Sequence, residues 1–231
     1  MSKGCVRIAL PLILALGIPQ LARADQLYLV GGQYGANSSY AFLGAILPLP
    51  GNSLGHGFAA RVWSDYLTYD YQSAGRKIDA SAWGGELAGV YQFSRAWGWS
   101  DLSVGARYRD TSFSPDDPAN RARGGRLYLT LGADGAYNID QDWRIRGIAT
   151  YTSTVTGYFL QPMIERAVSN TVWIGLDATF QGDRSYRQVY AGANASFVVS
   201  EGRIIAIRAG TMTSGGASGL YAGLTFVLTG N

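Results

Sequence analysis

From Gln26 to the last residues, apolar and polar side chains alternate at period two, and Gly, Asp, Asn or Ser breaks the pattern roughly every 15 residues. Successive side chains of a strand point to opposite faces, so one face of each segment meets apolar surroundings and the other meets water. In Thr171 to Gln181 the first set is Val172, Ile174, Leu176, Ala178 and Phe180, and the second is Thr171, Trp173, Gly175, Asp177, Thr179 and Gln181. Soluble sandwiches show similar alternation over strands of ~5 to 6 residues. These runs approach the ~9 to 11 needed to cross a bilayer as tilted strands. Length therefore predicts an all-β chain, a transmembrane antiparallel up-and-down barrel.

The first 24 residues read as a cleaved secretory signal peptide. Lys3 and Arg7 form a positive start, Ile8 to Ile18 an apolar core, and Ala22-Arg23-Ala24 a small-x-small cleavage site before Asp25. The apolar run is shorter than the ~20 residues of a membrane-spanning helix. Cys5 is the only cysteine and leaves with the signal, so residues 25–231 carry no disulfide or thiol chemistry. The signal also takes three of the 19 basic residues, which leaves 16 against 16 acidic ones. A neutral mature chain gives no reason to expect a nucleic acid partner, despite the whole-chain pI near 9.0. With 31 Gly, 15 Tyr and 6 Trp, and with Lys77 as the one lysine left after cleavage, the composition suits a curved sheet with aromatic residues at membrane interfaces.

The pattern parses into about 12 strands, near 26–35, 38–47, 57–68, 81–93, 100–111, 124–137, 143–154, 157–167, 171–181, 186–198, 203–212 and 219–228. Pro162 makes 157–167 the weakest of them. An even count puts both termini in the periplasm and the outer loops at 35–38, 69–80, 112–123, 155–156, 182–185 and 213–218. The longest and most charged are 69–80 and 112–123.

Parity places Arg61, Asp65, Glu86, Asp101, Arg107, Arg109, Arg126, Asp134, Arg144, Arg146, Asp177 and Arg208 on the polar face. An arginine facing lipid at mid-bilayer costs ~2 to 4 kcal/mol, so these charges are expected to face the lumen. Two readings stay open. The arginines and carboxylates satisfy one another in a filled interior, or the arginines line a path for a sugar chain or an anion.

Catalysis needs a nucleophile, a base and an oxyanion site together. His56, the one histidine, stands in Leu54-Gly55-His56-Gly57 on the expected periplasmic side with no serine partner in view, and reads as a turn residue. Pro115-Asp116-Asp117-Pro118-Ala119-Asn120 offers oxygen ligands of the calcium type but too few acids for a dedicated site. A proline-fixed Asx-turn explains it better. No phosphate loop, zinc spacing or dinucleotide fingerprint is present. The chain is expected to be non-enzymatic, with no cofactor and no metal.

Asp116-Asp117-Pro118-x-Asn120 with Gly124 opening a long strand, Gly182-Asp183-x-x-Tyr186 leading to Gly192, and the closing Gly219-Leu-Tyr-Ala-Gly-Leu-Thr-Phe226 resemble the BcsS family of cellulose biosynthesis proteins. The resemblance implies an exported outer-membrane barrel of a Gram-negative bacterium with an accessory role in cellulose biosynthesis or export, and no enzymatic residues. The partners it implies are outer-membrane lipid, a cellulose or other glucan chain, and components of the cellulose synthase complex. Aromatic rings can stack on sugar faces and charged groups can bond hydroxyls. Tyr69, Tyr71 and Phe113 beside Arg76 and Arg123 are therefore the candidate outer-loop glucan contacts. A passive oligosaccharide or ion channel and a structural or adhesive barrel remain the other readings.

Overall fold

The computed structural model describes residues 26–153, 157–183, 187–214 and 217–230. Six strands fill the first half: β1 Gln26–Gly35, β2 Ser38–Pro48, β3 Gly57–Ser73, β4 Arg76–Arg95, β5 Gly98–Ser114 and β6 Gly124–Asn138. Six more follow: β7 Trp143–Thr152, β8 Gly157–Ser169, β9 Val172–Gly182, β10 Arg187–Ser200, β11 Arg203–Ser214 and β12 Ala217–Gly230. Every strand pairs antiparallel with its sequence neighbours, and β1 pairs with β12 from Gln26↔Gly230 to Gly35↔Tyr221. The sheet closes into a barrel without a free edge, the condition for a strand wall in lipid. Gln26 and Gly230 share a rim, which we call the terminal end; the long β3–β4 hairpin marks the opposite, hairpin end. The signal segment, its cleavage site and the expected outer loop 155–156 lie outside the described residues.

The register fixes the faces that parity predicts. Leu87, Val104, Leu129, Leu131, Leu176 and Ile207 project outward and are exposed, as an apolar band facing hydrocarbon must be. Aromatic side chains flank this band at both rims. Tyr66, Trp83, Tyr108, Tyr151 and Tyr158 lie toward the hairpin end, and Phe58, Tyr91, Trp97, Tyr137, Trp143 and Phe226 toward the terminal end. Such paired girdles, ring in lipid and polar tip in water, belong to membrane barrels.

Two expectations need correction. Residues 69–80 are not a loop: β3 and β4 run on to Ser73 and Arg76 and are joined by Ala74 (φ 49°) and Gly75 (φ 75°), both left-handed as a type I′ turn requires. Tyr69, Tyr71, Arg76 and Phe113 are therefore strand residues, and of the candidate contacts Arg123 alone sits in a loop. Above the girdle the polarity of the alternation inverts: Ile78 and Ala80 are buried inward while Lys77, Asp79 and Ser81 take the outward positions, so the run does not continue the aliphatic-out pattern below it. Second, Pro162 does not interrupt β8. It sits opposite Gly147 in an unbroken ladder to β7, while the ladder to β9 passes over Gln161 and Pro162, as the missing proline N–H requires. Thr179 faces inward with the polar set, 3 % exposed and hydrogen-bonded by Arg208.

Leu176→Arg places a charge on the outward face near the middle of β9 and should destabilise the barrel by ~2 to 4 kcal/mol. Thr150→Arg, half-buried on the inward face, should be milder. Urea unfolding in detergent micelles compares them, and equal losses would show that the two faces are wrongly assigned.

Candidate functional site

Three ion-pair clusters line the lumen, and one of them reaches between distant strands. In the first, Asp65 of β3 reaches over β4 to two arginines of β5: Arg107 donates to one carboxylate oxygen, and Arg109 Nη2 lies 2.7 Å from the other. The register makes this reach possible. Asp65, Gly84 and Arg109 stand side by side on β3, β4 and β5, and a Cβ at Gly84 would stand 3.2 Å from both Asp65 oxygens. Arg61 donates to Glu86 at 2.7 Å and lies 3.8 Å from Asp134 of β6, while Arg107 is 3.5 Å from the other Glu86 oxygen.

The second cluster centres on Arg208 of β11. Its guanidinium donates to Asp177 of β9, to Thr179 Oγ1 at 2.9 Å and to Gln33 Oε1 of β1 at 3.3 Å. With its amide oxygen turned inward, Gln161 of β8 accepts from the same group at 3.0–3.2 Å. One arginine thus ties together strands that lie four strands apart in the wall, β1 and β8. Tyr221 adds a hydroxyl donor to Asp177 at 3.3 Å.

In the third cluster Glu165 holds Arg144 at 2.6 Å and Arg146 at 3.6 Å. Sequence reasoning missed Glu165, although it shares parity with Gln161 and Met163; the proline between them drew attention away from the register. Its side chain is 2 % exposed, so it is as deeply placed as Asp65 and Asp177. Asp101 accepts from Gln92 at 2.9 Å. Arg126, by contrast, is exposed near the hairpin end and has no ion pair or hydrogen bond among the described residues.

Asp65, Glu86, Glu165 and Asp177 each sit deeper than the arginines around them, whose side chains keep 13–29 % of their exposure. The carboxylates need the guanidinium donors, while each arginine retains a hydrated edge. Replacing Asp65 by Asn should strand Arg109, leave Arg107 with Glu86 alone and cost about 3 kcal/mol, the low end for breaking a buried pair because the arginines stay partly wet. Arg123→Ala removes an ion pair with both partners half-exposed and should cost no more than about 1 kcal/mol. Urea midpoints measure both, and similar values would mean that the lumen pairs are solvated like the surface one.

At the hairpin end the candidate contacts divide. Tyr69 and Tyr71 stack with ring centres 6.0 Å apart, and Phe113 meets Tyr71 edge-on at 6.0 Å. Tyr71 is also a latch: its hydroxyl donates to Asp117 Oδ2 at 2.7 Å and accepts from Asn120 Nδ2 at 2.8 Å. Asn120 Oδ1 accepts from the Ala122 N–H at 3.0 Å, an Asx-turn, and Arg123 clamps Asp116 through two 2.8 Å bonds. The acids and amide that could suggest a calcium loop are thus engaged within the protein, and Arg123 is committed to Asp116. No group of His, Cys, Asp and Glu among the described residues is arranged to hold a metal. His56 lies in the β2–β3 connection, its backbone exchanging hydrogen bonds with Ser53. Arg76 stands apart at the hairpin tip.

Tyr71→Phe keeps the ring contacts and deletes both hydroxyl bonds to the loop. Loss of a hydrogen bond to a carboxylate predicts about tenfold faster tryptic cleavage after Arg121 or Arg123. An unchanged rate would mean that the Asp116–Arg123 clamp alone holds the loop.

The model of the cellulose biosynthesis protein BcsS family matches residues 27–229, from the first strand to the last. The chain belongs to that family. The motif Asp116-Asp117-Pro118-x-Asn120 that carried the resemblance is the half of the latch that grips Tyr71, whereas Tyr186 of the second motif lies outside the described residues. No curated protein matches the chain.

Among solved structures, this member of the BcsS family resembles the KdgM porin at 10% identity and TM-score 0.51, covering 88% of this chain and 98% of the porin. It also resembles the transport unit of the autotransporter AIDA-I from Escherichia coli, at 8% identity and TM-score 0.52 with 92% of each chain covered. The CymD monoaromatic hydrocarbon channel matches at 7% identity and TM-score 0.50, over 90% and 89% of the two chains. These likenesses establish the outer-membrane barrel fold and carry no residue of function.

Proposed function

We propose that this protein is a non-enzymatic outer-membrane accessory to bacterial cellulose production, acting at export or surface retention of the polymer. The family match over residues 27–229 carries the proposal. In this reading residues 1–24 are removed on export from the cytoplasm of a Gram-negative bacterium. The termini then lie in the periplasm and the β3–β5 extensions stand at the cell surface. The partners are outer-membrane lipid and a glucan chain or a component of the synthase complex.

The side chains described support a non-catalytic role. The buried carboxylates accept hydrogen bonds from arginine, so they act as anchors of the wall; none is paired with a nucleophile in the manner hydrolysis or transfer requires. A passive channel for oligosaccharide or ions is the second reading, favoured by the porin and channel among the structural neighbours. The bonds of Arg208 to β1, β8 and β9 weigh against it, since they span the interior between distant strands, across the path a solute would take.

Deleting the gene should reduce cellulose at the cell surface while isolated membranes still polymerise glucan. Surface cellulose and membrane polymerisation, measured side by side, decide. Unchanged surface cellulose would move the channel reading ahead, and loss of polymerisation in membranes with intact synthase would make the barrel a regulator of the synthase.

A further inference from the structure

The outward face of the wall changes character abruptly above the hairpin-end girdle. Along β3, Tyr66 is followed at the next outward positions by Thr68 and Asp70; along β4, Trp83 by Ser81 and Asp79; along β5, Tyr108 by Asp110, Ser112 and Ser114. Polar side chains in three adjacent strands cannot face hydrocarbon, so the aromatic row marks the end of the apolar layer and the surface above it meets water or headgroups.

A cleft of about 440 Å³ opens at this level, within the ~300 to 1,000 Å³ of small-molecule sites. Its polar lining includes Ser39, Thr68, Ser81, Ser112, Asp70 and Asp79, and Tyr34 is its outward-facing aromatic residue; Tyr69 and Phe113 also border it, but their register turns their side chains to the inner face of the wall. No arginine or lysine lines it. Lys77 stands beside it, 3.7 Å from Asp70 and 3.6 Å from Asp79, and offsets part of their charge.

We infer that this cleft binds a neutral pyranose chain, the glucan of the function proposed above, on which the inference rests. Hydroxyls both donate and accept, carboxylates accept, and an exposed tyrosine ring offers a flat apolar face; together they match a sugar, which is polar at its rim and apolar on its faces. An anionic chain would meet two carboxylates with no arginine to receive it. Tyr34, 68 % exposed at the edge of the cleft, supplies the stacking surface. Of the sequence candidates, Tyr69, Tyr71 and Phe113 support this site from behind, as rings packed on the inner face of the same strands, and Arg76 and Arg123 do not take part. The same chemistry would fit the sugar headgroup of an outer-leaflet glycolipid, so the test separates the two.

Purified barrel in detergent is titrated calorimetrically with cellohexaose and, separately, with the delipidated core oligosaccharide of lipopolysaccharide. The wild-type protein should bind cellohexaose, and the double variant Asp79→Ala, Ser112→Ala should bind it about tenfold more weakly, the effect of losing two hydrogen bonds to sugar hydroxyls. Heat-dependent gel migration shows that the variant is folded; Tyr34→Ala provides a second variant, which should lose affinity through stacking alone. Binding of the core oligosaccharide without cellohexaose overturns the glucan assignment. Absence of binding to either sugar, or equal affinity in wild type and both variants, overturns the site itself. A site that fails beside a deletion strain that loses surface cellulose leaves the accessory role intact and the inference wrong. A deletion strain with unchanged cellulose beside a barrel that binds cellohexaose does the reverse.

Discussion

The pairing of β1 with β12 is the contact on which everything else depends. Hydrocarbon supplies no hydrogen-bond partner, so an open strand edge there would leave a row of unsatisfied amides and carbonyls at several kcal/mol each. Closure from Gln26↔Gly230 to Gly35↔Tyr221 removes that row and fixes an inside and an outside. Once the wall has two faces, the period-two sequence distributes itself without further choice: Leu, Val and Ile to the lipid, Arg, Asp and Glu to the interior.

The interior then faces its own constraint, because ionised groups brought together in a narrow space must be paired. The arrangement here shares Asp65, Glu86, Glu165 and Asp177 among several donors each. Asp65 serves two arginines, Glu86 two, Glu165 two, and Asp177 accepts from both Arg208 and Tyr221. Small residues in the intervening strand make the sharing possible. Gly84 between Asp65 and Arg109, and Gly192 opposite Asp177, keep the middle strand low so that the bonds can pass over it. The glycines of this chain thus work with the charges as well as with curvature, which a count of glycine alone does not reveal.

Much of this could be read in advance, for an identifiable reason. Within the membrane the two faces meet opposite solvents, so alternation is strict, and the strand number, the outward aliphatic band and the inward position of Arg61, Asp65, Arg107 and Arg208 were all legible. Above the girdle the pattern inverts, apolar inward and polar outward, and charged residues such as Asp70, Lys77 and Asp79 break the signal that marks the strands below. For that reason residues 69–80 looked like a loop although they complete β3 and β4 around Ala74 and Gly75. Glu165 was hidden differently, by a proline whose cost depends on which neighbouring strand needs its missing N–H. The grip of Asp117 and Asn120 on Tyr71 spans some 46 to 49 residues of sequence and leaves no periodic trace.

The extension of β3, β4 and β5 beyond the girdle gives the barrel a one-sided lip. Their 17, 20 and 17 residues far exceed the ~9 to 11 that cross the bilayer, whereas β1 and β7 have 10 each. A strand leaving the membrane loses the packing of its outward face against lipid and needs support from elsewhere. Here that support comes from the inward face, where Tyr69, Tyr71, Ile78, Ala80 and Phe113 lie on neighbouring strands and bury Ile78 and Ala80 almost completely. The latched loop 115–123 adds a further attachment through Tyr71. Because the inner face carries the packing, the outer face of the lip is free of it, and Ser, Thr and Asp can occupy positions that leucine and valine hold lower down. The polar cleft is thus a consequence of how the lip is stabilised: a wall held from within can present hydroxyls and carboxylates outward without losing its fold.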